Sequence, residues 1–245
     1  WTAYLLARFT GSKYVLRMGY SYAQSKQHES ILGFMLYPVF YSYEFIMTRL
    51  ADHVIVSSEY LAGKFFLNKH SLVHNSIDLR FTRSRKSEKV YRWISVGRII
   101  RMKGSDKLSL FANSRHDGIV IGDNADNLPL GKNVFYSRLN NREVASHFGS
   151  SKYYVSFSRT EGNPKTLMEA IFAGCIPVLS NIPAHTDIVL ELGYGFIIQN
   201  IREVQQIIDE DESNFSESKY SSFVGRWSTK NVVIKELELL SLCVE

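Results

Sequence analysis

The chain has 245 residues, of which 45% are hydrophobic and 22% charged, and its formal net charge is +5. This length allows one large or two small domains with a substantial core, and the composition is that of an ordinary globular protein. The excess of lysine and arginine fits an anionic partner, such as a nucleoside diphosphate or an acidic lipid surface. We expect no nucleic-acid partner, because no basic run is interleaved with aromatic residues in a known nucleic-acid-binding motif.

The cysteines and the longest apolar stretch constrain the type of protein further. Cys175 and Cys243 provide neither a disulfide framework nor a metal-ligand cluster, and we expect a cytoplasmic protein in which Cys175 is a small core residue. Residues 31–50 are apolar but interrupted by a proline and by charges, so this stretch is too broken to span a bilayer. Its aromatic residues leave open a contact with a membrane interface, at the inner face of the membrane. A helix packed within a domain is the interpretation that we favour.

The first part of the chain ends in a polar, charged stretch. It contains two predicted strands, residues 14–17 and 54–57, and one predicted helical segment between them, residues 28–49. Turn-forming residues follow at 75–78, and residues 82–89 are polar and charged. We therefore place a domain boundary near residue 80, which gives a first domain at 1–80 and a second at 81–245.

The second part alternates short strands with helices. The predicted strands are Trp93–Val96, Ile119–Ile121, Val134–Tyr136, Tyr153–Phe157, Pro177–Leu179 and Gly195–Ile198. The predicted helices are Asp106–Asn113, Asn141–Phe148, Pro164–Ala173 and Ala184–Leu192, and Asn140 with Glu143 resembles a capping pair. This alternation predicts an α/β fold with a doubly wound parallel sheet, whose ligands bind beyond the carboxyl ends of the strands. A last amphipathic helix is predicted at about 230–242.

One segment places two carboxylates at the start of a predicted helix. Glu161 precedes the helix and Glu169 lies on it, Asn163 is a good N-cap residue, and Pro164 suits the first helical position. Gly174 is placed to end the helix. Free N–H groups and the positive dipole end at a helix start attract phosphate, and a nearby carboxylate accepts hydrogen bonds from sugar hydroxyls. The segment therefore points to a sugar nucleotide.

The same segment resembles the Glu-x7-Glu motif of glycosyltransferase family 4 (group 1), the retaining enzymes of GT-B type. Three other stretches are similar to that family in order and spacing: residues 51–58, 74–78 and 93–104. The resemblance covers roughly residues 50–190. It implies a GT-B fold with a Rossmann-like C-terminal domain and a last helix that packs back on the first domain. It also implies an incomplete N-terminal Rossmann-like domain, and we expect the first half of that domain to be missing.

The resemblance also assigns roles to residues that would bind the donor. Arg98 and Lys103 would hold the diphosphate, Glu161 the hexose and Glu169 the ribose. Fixed cations stabilise the charge that builds on a departing diphosphate, which makes Arg98 and Lys103 candidate catalytic residues. Glu161 is the third candidate catalytic residue, because its carboxylate would stabilise positive charge on the sugar. The candidate donor-binding residues are Gly97, Arg98, Lys103, Arg138, Leu139, Glu161, Gly162, Asn163, Pro164, Lys165, Thr166 and Glu169.

Three other features are weaker candidates. His185 fits a structural role better than a contact with the donor. His70 and His74 are four residues apart, which would suit zinc on a helix, but the stretch reads as a strand running into a turn. Residues 209–211 spell Asp-x-Asp, an element that can hold a divalent metal, yet they lie in an acidic run that reads as surface. We expect no metal and no cofactor, because the cationic pair can replace a metal at the diphosphate.

These features predict a retaining glycosyltransferase that moves a hexose-type sugar from a UDP- or GDP-sugar to a glycan or lipid-linked acceptor, as in cell-surface polysaccharide synthesis. Two alternatives stay open. The first is a module that binds the sugar nucleotide and transfers nothing, because no glycine-rich acceptor loop precedes residue 50. The second is a sugar-nucleotide epimerase of GT-B type.

Overall fold

The computed structural model describes residues 2–73, 75–78, 80–83, 88–124 and 127–244. His74 and the side chain of Cys243 lie outside the described part of the chain. The chain divides into two units, one formed by Trp1–Ser76 with Thr229–Glu245 and the other by Ile77–Ser228. The sequence predicts residues 229–245 in the second domain, with a last helix that packs back on the first, and the structure groups them with the first unit.

The first unit contains a three-stranded parallel sheet in the order β1-β2-β3. Its elements are α1 (Thr2–Thr10), β1 (Val15–Met18), α2 (Tyr22–Glu29), α3 (Ile31–Met35), α4 (Tyr37–Leu50), β2 (His53–Val56), α5 (Glu59–Lys64) and β3 (His70–Leu72). Val54 and Val56 of β2 are buried with Leu61 and Phe65, from α5 and the residue after it. The sheet is thus covered by a helix that directly follows its central strand.

The prediction of one helical segment over residues 28–49 is wrong, because this stretch contributes to three helices. The Ser30 side chain accepts a hydrogen bond from the Gly33 N–H at 3.0 Å and so caps the start of α3. Leu36 separates α3 from α4, and a proline lies in the first turn of α4. A serine that bonds the backbone and a proline without an N–H both favour a new helix start over continuation. Among the described residues, no helix combines the length and the hydrophobicity needed to cross a membrane.

The second unit is built on a six-stranded sheet in the order β6-β5-β4-β7-β8-β9, in which all neighbouring strands are parallel. This confirms the predicted α/β fold with a parallel sheet. Its elements are α6 (Arg80–Arg83), β4 (Tyr91–Val96), a 3₁₀ helix (Arg101–Lys103), α7 (Ser105–Ser114), β5 (Gly118–Ile121), β6 (Val134–Tyr136), α8 (Asn141–Gly149), β7 (Ser151–Ser156), α9 (Lys165–Phe172), β8 (Ile176–Ser180), α10 (Pro183–Leu192), β9 (Phe196–Ile198), α11 (Ile201–Asp209) and α12 (Glu217–Trp227).

Helices cover both faces of this sheet, as successive residues of β4 demonstrate. Trp93 packs on one face against Phe111 of α7, with ring centroids 4.9 Å apart. Ile94 faces the opposite side and belongs to a core cluster with Phe148 of α8 and Ile171 of α9. All of these side chains are almost fully buried, and burial of each stabilises the fold by about 1.5–3 kcal/mol relative to exposure.

The described residues around position 80, namely 77–78 and 80–83, belong to the second unit. Phe81 of α6 is buried against Phe148, with ring centroids 6.3 Å apart. The polar composition of residues 82–89 predicts a boundary there, but Phe81, just before this stretch, belongs to the core of the second unit. The units divide between Ser76 and Ile77 instead.

The last helix, α13 (Thr229–Val244), belongs to the first unit. Arg17 of β1 forms an ion pair with Glu236 of α13, with Nε and Oε1 3.0 Å apart. Both side chains are at least partly exposed, so this pair contributes little to the free energy of unfolding.

Candidate active site

The polar residues predicted from the sequence lie at one edge of the second sheet. β4 is bordered by β5 on one side and by β7 on the other, so the strand order reverses between β4 and β7. In doubly wound sheets such a reversal leaves a crevice beyond the carboxyl ends of the two strands. The loops after β4 and β7 line a cavity of about 320 Å³ there, and its lining residues are Ser95, Val96, Gly97, Arg98, Ile99, Lys103, Ser105, Leu108, Tyr154, Ser156, Phe157, Ser158, Glu161, Asn163, Pro164, Lys165 and Thr166.

Two glycines allow the loop after β4 to run close to neighbouring backbone. Gly97 has φ 144° and donates its N–H to the carbonyl of Ile121 at 2.9 Å. Its own carbonyl oxygen lies 1.8 Å from where a Cβ atom on residue 122 would stand, and Gly122 also has a positive φ. Gly104, with φ 71°, ends the 3₁₀ helix so close to Phe157 that a Cβ atom would lie 2.1 Å from its carbonyl oxygen. The loop is therefore fixed against the strands on both sides of β4.

Lys103 and Glu161 form an ion pair inside the cavity. Lys103 Nζ lies 2.6 Å from Glu161 Oε1, and the Ser158 hydroxyl donates to the same oxygen at 2.8 Å. No hydrogen bond to the other carboxylate oxygen, Oε2, occurs within the described part of the chain. One oxygen of Glu161 is thus held by the protein and the other is available to a ligand.

Arg98 lines the cavity from the loop after β4, which also carries Lys103, and is exposed. No side-chain hydrogen bond or ion pair of Arg98 is found among the described residues. Its guanidinium carries five N–H donors in a planar fork that suits the oxygens of a phosphate. Arg98 and Lys103 therefore bring two positive charges to the same space, of which only the second is paired with a carboxylate.

The helix after β7 begins one residue later than predicted. Pro164 has ψ 93°, which is extended, so it occupies the N-cap position itself and α9 begins at Lys165. The prediction of Asn163 as N-cap is therefore wrong, and no side chain caps this helix. Asn163, Pro164, Lys165 and Thr166 all line the cavity, so the start of α9 faces it.

Glu169 lies in the second turn of α9 and is only 8% exposed. Burial raises the pKa of its carboxyl above the ordinary value, and Lys165, whose Nζ is 3.6 Å from Oε1, offsets part of this shift. A buried carboxylate with one distant cationic partner retains capacity to accept hydrogen bonds from a hydroxyl-rich ligand. Glu169 itself is not among the residues that line the cavity.

Three other predicted donor-binding residues are also outside the cavity lining. Gly162 lies between lining residues in the loop before α9. Arg138 and Leu139 follow β6, which is separated from β7 by two strands, β5 and β4. Arg138 is exposed, and Leu139 packs against the core cluster under α8 and α9. The structure thus brings together eight of the twelve predicted residues, namely Gly97, Arg98, Lys103, Glu161, Asn163, Pro164, Lys165 and Thr166.

Several cavity residues were not predicted. Tyr154 of β7 is buried, and its hydroxyl lies 3.1 Å from Thr166 Oγ1. Ser156 and Ser158 continue the same face of the strand into the loop. The sequence contains one pattern that could have predicted these residues. Hydroxyl groups recur at every second position, Tyr154, Ser156 and Ser158, at the end of an otherwise apolar strand, so they share one face.

His185 is a buried structural residue, as the sequence suggested. Its ring Nδ1 lies 2.9 Å from the carbonyl oxygen of Ser180, so Nδ1 carries the proton and donates. Nε2 is buried and has no hydrogen-bond partner among the described residues. Burial lowers the pKa of His185 to about 4, because a protonated ring would place an unpaired charge in the core.

The described side chains of the other metal-binding patterns contact neighbouring side chains instead. Asp209 pairs with Arg115, and Asp211 pairs with Lys152 at 2.7 Å and with Arg92. His70 lies in β3 and contacts Glu59 at 3.1 Å. In the described ranges, no group of three or more histidine, cysteine, aspartate or glutamate side chains is placed to hold a metal ion.

Comparison with known proteins now adds to this geometry. The model of a protein family described as "Glycosyl transferases group 1" matches residues 77–222, which span the second unit almost entirely. The chain belongs to this family. A GDP-mannose:cellobiosyl-diphosphopolyprenol alpha-mannosyltransferase of Xanthomonas oryzae pv. oryzae (strain PXO99A) is 31% identical to this family member over 91 residues. That match covers 34% of this chain and 24% of the length of the curated relative.

Several solved structures are similar to this family member over most of the chain. Sucrose-phosphate synthase from Thermosynechococcus elongatus has a TM-score of 0.78 at 14% identity, over 99% of this chain and 70% of that one. A glycosyltransferase from Rickettsia africae has a TM-score of 0.74 at 13% identity, over 100% and 74%. Anabaena HepE, solved with UDP and glucose, has a TM-score of 0.71 at 13% identity, over 97% and 74%. At these identities the matches establish the fold, and the predicted GT-B-like α/β fold is confirmed.

Proposed function

We propose that this chain contains the donor site of a retaining glycosyltransferase, which moves a hexose-type sugar from a nucleoside-diphosphate sugar to an acceptor. One observation carries the proposal. Two cations from the loop after β4, Arg98 and Lys103, and one carboxylate from the loop after β7, Glu161, line the same cavity at the point where the strand order reverses. This pairing of charges suits a ligand that joins a diphosphate to a polyol.

The cations would bind and stabilise the diphosphate. Negative charge builds on this group as it leaves the sugar, and fixed cations in a shielded site stabilise that charge, each by a factor of about 100 or more in rate. Arg98 offers a planar fork and Lys103 a compact charge. We propose that these two residues supply the electrostatic stabilisation for which other transferases use a metal ion, so the reaction needs no metal and no cofactor.

The carboxylates would bind the two polyols of the donor. Glu161 has one unoccupied oxygen at the cavity and would accept a hydrogen bond from the hexose. Glu169 would accept hydrogen bonds from the ribose hydroxyls. The backbone around Arg138 and Leu139 would contact the nucleobase. The start of α9, with Gly162, Asn163, Pro164, Lys165 and Thr166, would bind phosphate and sugar oxygens, because its N–H groups and dipole favour negative charge.

In the proposed transfer, the bond between the sugar C1 and the diphosphate oxygen breaks while a bond forms from the acceptor oxygen to C1. The acceptor attacks on the face from which the leaving group departs, so the configuration at C1 is retained. The acceptor hydroxyl proton passes to an oxygen of the departing phosphate. The products are a nucleoside diphosphate and the glycoside, and Glu161 stabilises positive charge on the sugar ring during the exchange.

The relatives suggest the class of donor and acceptor. The Xanthomonas relative is named for GDP-mannose and a lipid-linked diphosphate, and the Anabaena structure holds UDP and glucose. We propose a UDP- or GDP-sugar as donor and a glycan or lipid-linked acceptor, in polysaccharide synthesis in the cytoplasm. A lipid-linked acceptor would place the protein at the inner face of the membrane. The exposed side chains of α3 offer an apolar contact for that surface: Ile31, Leu32, Phe34 and Met35.

Calorimetry and a product assay test the proposal together. The chain is titrated with UDP, GDP and their hexose conjugates, and the best donor is then incubated with and without polyprenyl-diphosphate or glycan acceptors. We expect binding of one nucleotide series, and the Arg98→Ala/Lys103→Ala variant should bind it at least about 100-fold more weakly, since hydrogen bonds to charged groups are strong. The Arg101→Ala variant is the matched control, because Arg101 belongs to the same loop but does not line the cavity.

The outcomes separate the alternatives. A product with retained configuration supports transfer. Binding without any turnover supports a module that only holds the sugar nucleotide, and conversion of the donor without an acceptor supports an epimerase. Unchanged binding by the Arg98→Ala/Lys103→Ala variant would contradict the site itself.

A further inference from the structure

Ser158 is fixed by hydrogen bonds on three sides. Its carbonyl oxygen accepts from the hydroxyl of Ser180 in β8 at 2.6 Å. Its N–H donates to the hydroxyl oxygen of Ser156 at 3.4 Å, and the Ser156 hydroxyl donates to Ser158 Oγ at 3.3 Å. Ser158 is only 3% exposed. The residue is therefore held in place by two neighbouring strands of the sheet before any ligand binds.

The single proton of the Ser158 hydroxyl is directed at Glu161. A serine hydroxyl has one proton to donate. In the contact with Ser156 the Ser158 oxygen is the acceptor, so its own proton is donated to the carboxylate. It reaches Glu161 Oε1 at 2.8 Å, and Lys103 Nζ donates to the same oxygen from the other loop at 2.6 Å. Two donors on one oxygen fix the rotation of the carboxylate and leave Oε2 for a ligand.

We propose that Ser158 is a positioning residue, which orients Glu161 so that Oε2 accepts one specific hydroxyl of the donor sugar. The inference rests on the proposed function, and it adds the group that sets selectivity among sugars. A site built to bind a hydroxyl rejects an analogue without that hydroxyl, because the buried acceptor is left unpaired. Loss of the Ser158 hydroxyl leaves Glu161 free to rotate about Lys103, so this rejection weakens.

The test compares Ser158→Ala, just after β7, with Ser151→Ala at the start of β7. Ser151 is buried too and donates to the carbonyl of His147 at the opposite end of β7, so its variant controls for loss of a buried hydroxyl. We expect Ser158→Ala to lower kcat for the parent donor about 10- to 100-fold, since a hydrogen bond to a charged group is lost. KM for the donor should change little, because other residues bind the nucleotide and diphosphate. Donors lacking one ring hydroxyl at a time should reveal one position at which discrimination falls at least about tenfold.

Two further variants show whether Ser158 acts through Glu161. In a Glu161→Ala background, Ser158→Ala should have no additional effect on kcat, and Ser158→Thr should retain the parent selectivity because it keeps the hydroxyl. Should Ser158→Ala fail to fold, as judged by its melting temperature against Ser151→Ala, Ser158→Cys serves in its place, since a thiol is close in size and a much weaker donor.

Each result decides the point. Equal kcat and equal selectivity of Ser158→Ala and the wild type would overturn the role of Ser158 and leave the proposed function intact. An undiminished effect in the Glu161→Ala background, or equal impairment of the Ala and Thr variants, would overturn it as well. A wild-type chain that binds no nucleoside-diphosphate sugar would overturn the proposed function, and this inference with it.

Discussion

Lys103 and Glu161 are 58 residues apart in the chain, yet Lys103 Nζ lies 2.6 Å from Glu161 Oε1. The exposed fractions of the two side chains are 29% and 12%, so the pair is largely shielded from water. When one partner of a shielded ion pair is removed, the other charge is left poorly solvated and unpaired. The same contact therefore serves the stability of the second unit and, in the proposed function, the chemistry of the cavity.

Lys103→Met and Glu161→Gln should each lower the free energy of unfolding by about 1–2 kcal/mol, and the double variant by less than the sum. Urea unfolding followed by tryptophan fluorescence measures this, since Trp93 and Trp227 both lie in the second unit. Lys132→Met is the control, because Lys132 is exposed and no ion pair of its side chain is found among the described residues, so its loss should change stability little. Strictly additive losses in the double variant would contradict the coupling.

Glu169→Gln should stabilise the ligand-free chain at neutral pH. Burial raises the pKa of Glu169 above its ordinary 4.5, so the folded state holds this proton more tightly than the unfolded state. The stabilisation from that proton is complete below the ordinary pKa and is lost as pH rises through the folded pKa. The melting temperature of Glu169→Gln should therefore exceed that of the wild type at neutral pH and equal it below pH 4.5. Donor affinity should fall at least about tenfold; a variant that is less stable at neutral pH would contradict the argument.

Gly104→Ala should destabilise the second unit and weaken donor binding. The residue has φ 71°, and an added Cβ would lie 2.1 Å from the carbonyl oxygen of Phe157. Left-handed strain costs about 1–2 kcal/mol in itself, and relief of the clash would move the adjacent Lys103. Gly225→Ala in α12 is the matched control, since nothing lies within 4 Å of its Cβ position and alanine is the better helix former by about 1 kcal/mol. Urea unfolding and calorimetry with the nucleotide measure both effects. Equal stability of the two variants would count against the close approach.

The stability of the chain should fall as pH is lowered from 6.5 towards 4, and His185 should account for much of the loss. Burial lowers the pKa of His185 from 6.5 to about 4, so the unfolded state binds the proton more tightly in this interval. Stability therefore rises with pH between these values, by about 3 kcal/mol in total at 1.36 kcal/mol per unit. The unfolding free energy of His185→Gln should depend less on pH in this range, whereas His116→Gln, which replaces an exposed histidine, should keep the wild-type slope. A wild-type slope in His185→Gln would refute the assignment.

Features encoded by neighbouring residues could be predicted from the sequence. Asn140 and Glu143 form the expected capping box, with Glu143 N–H donating to Asn140 Oδ1 at 3.1 Å and Asn140 N–H donating to Glu143 Oε2 at 2.8 Å. Gly174, with φ 82°, ends α9 as expected, and Cys175 N–H donates to the Ala170 carbonyl at 2.9 Å in a Schellman motif. Such signals need only a few adjacent residues, so no tertiary information is required to read them.

Features that depend on contacts between distant segments could not be predicted. Ser30 and Ser158 look alike in the sequence, but the first starts a helix and the second is held by β8 and points at Glu161. The sequence placed Tyr154 in a predicted strand and gave no sign of a contact with Thr166, which only the fold brings to its hydroxyl. The motif match found the loops that meet at the cavity. It did not identify the Ser158 hydroxyl, which donates to the carboxylate of Glu161.

The contact between Gly97 and Gly122 limits how this site can change through mutation. Any side chain at position 122 would collide with the Gly97 carbonyl, which an added Cβ would approach to 1.8 Å, so the backbone there tolerates no substitution without displacement of the loop. The path of the loop that carries Gly97 and Arg98 therefore depends on glycine at position 122. A descendant of this chain with a new donor preference would more readily exchange side chains that line the cavity, such as Arg98, than alter the backbone that carries them.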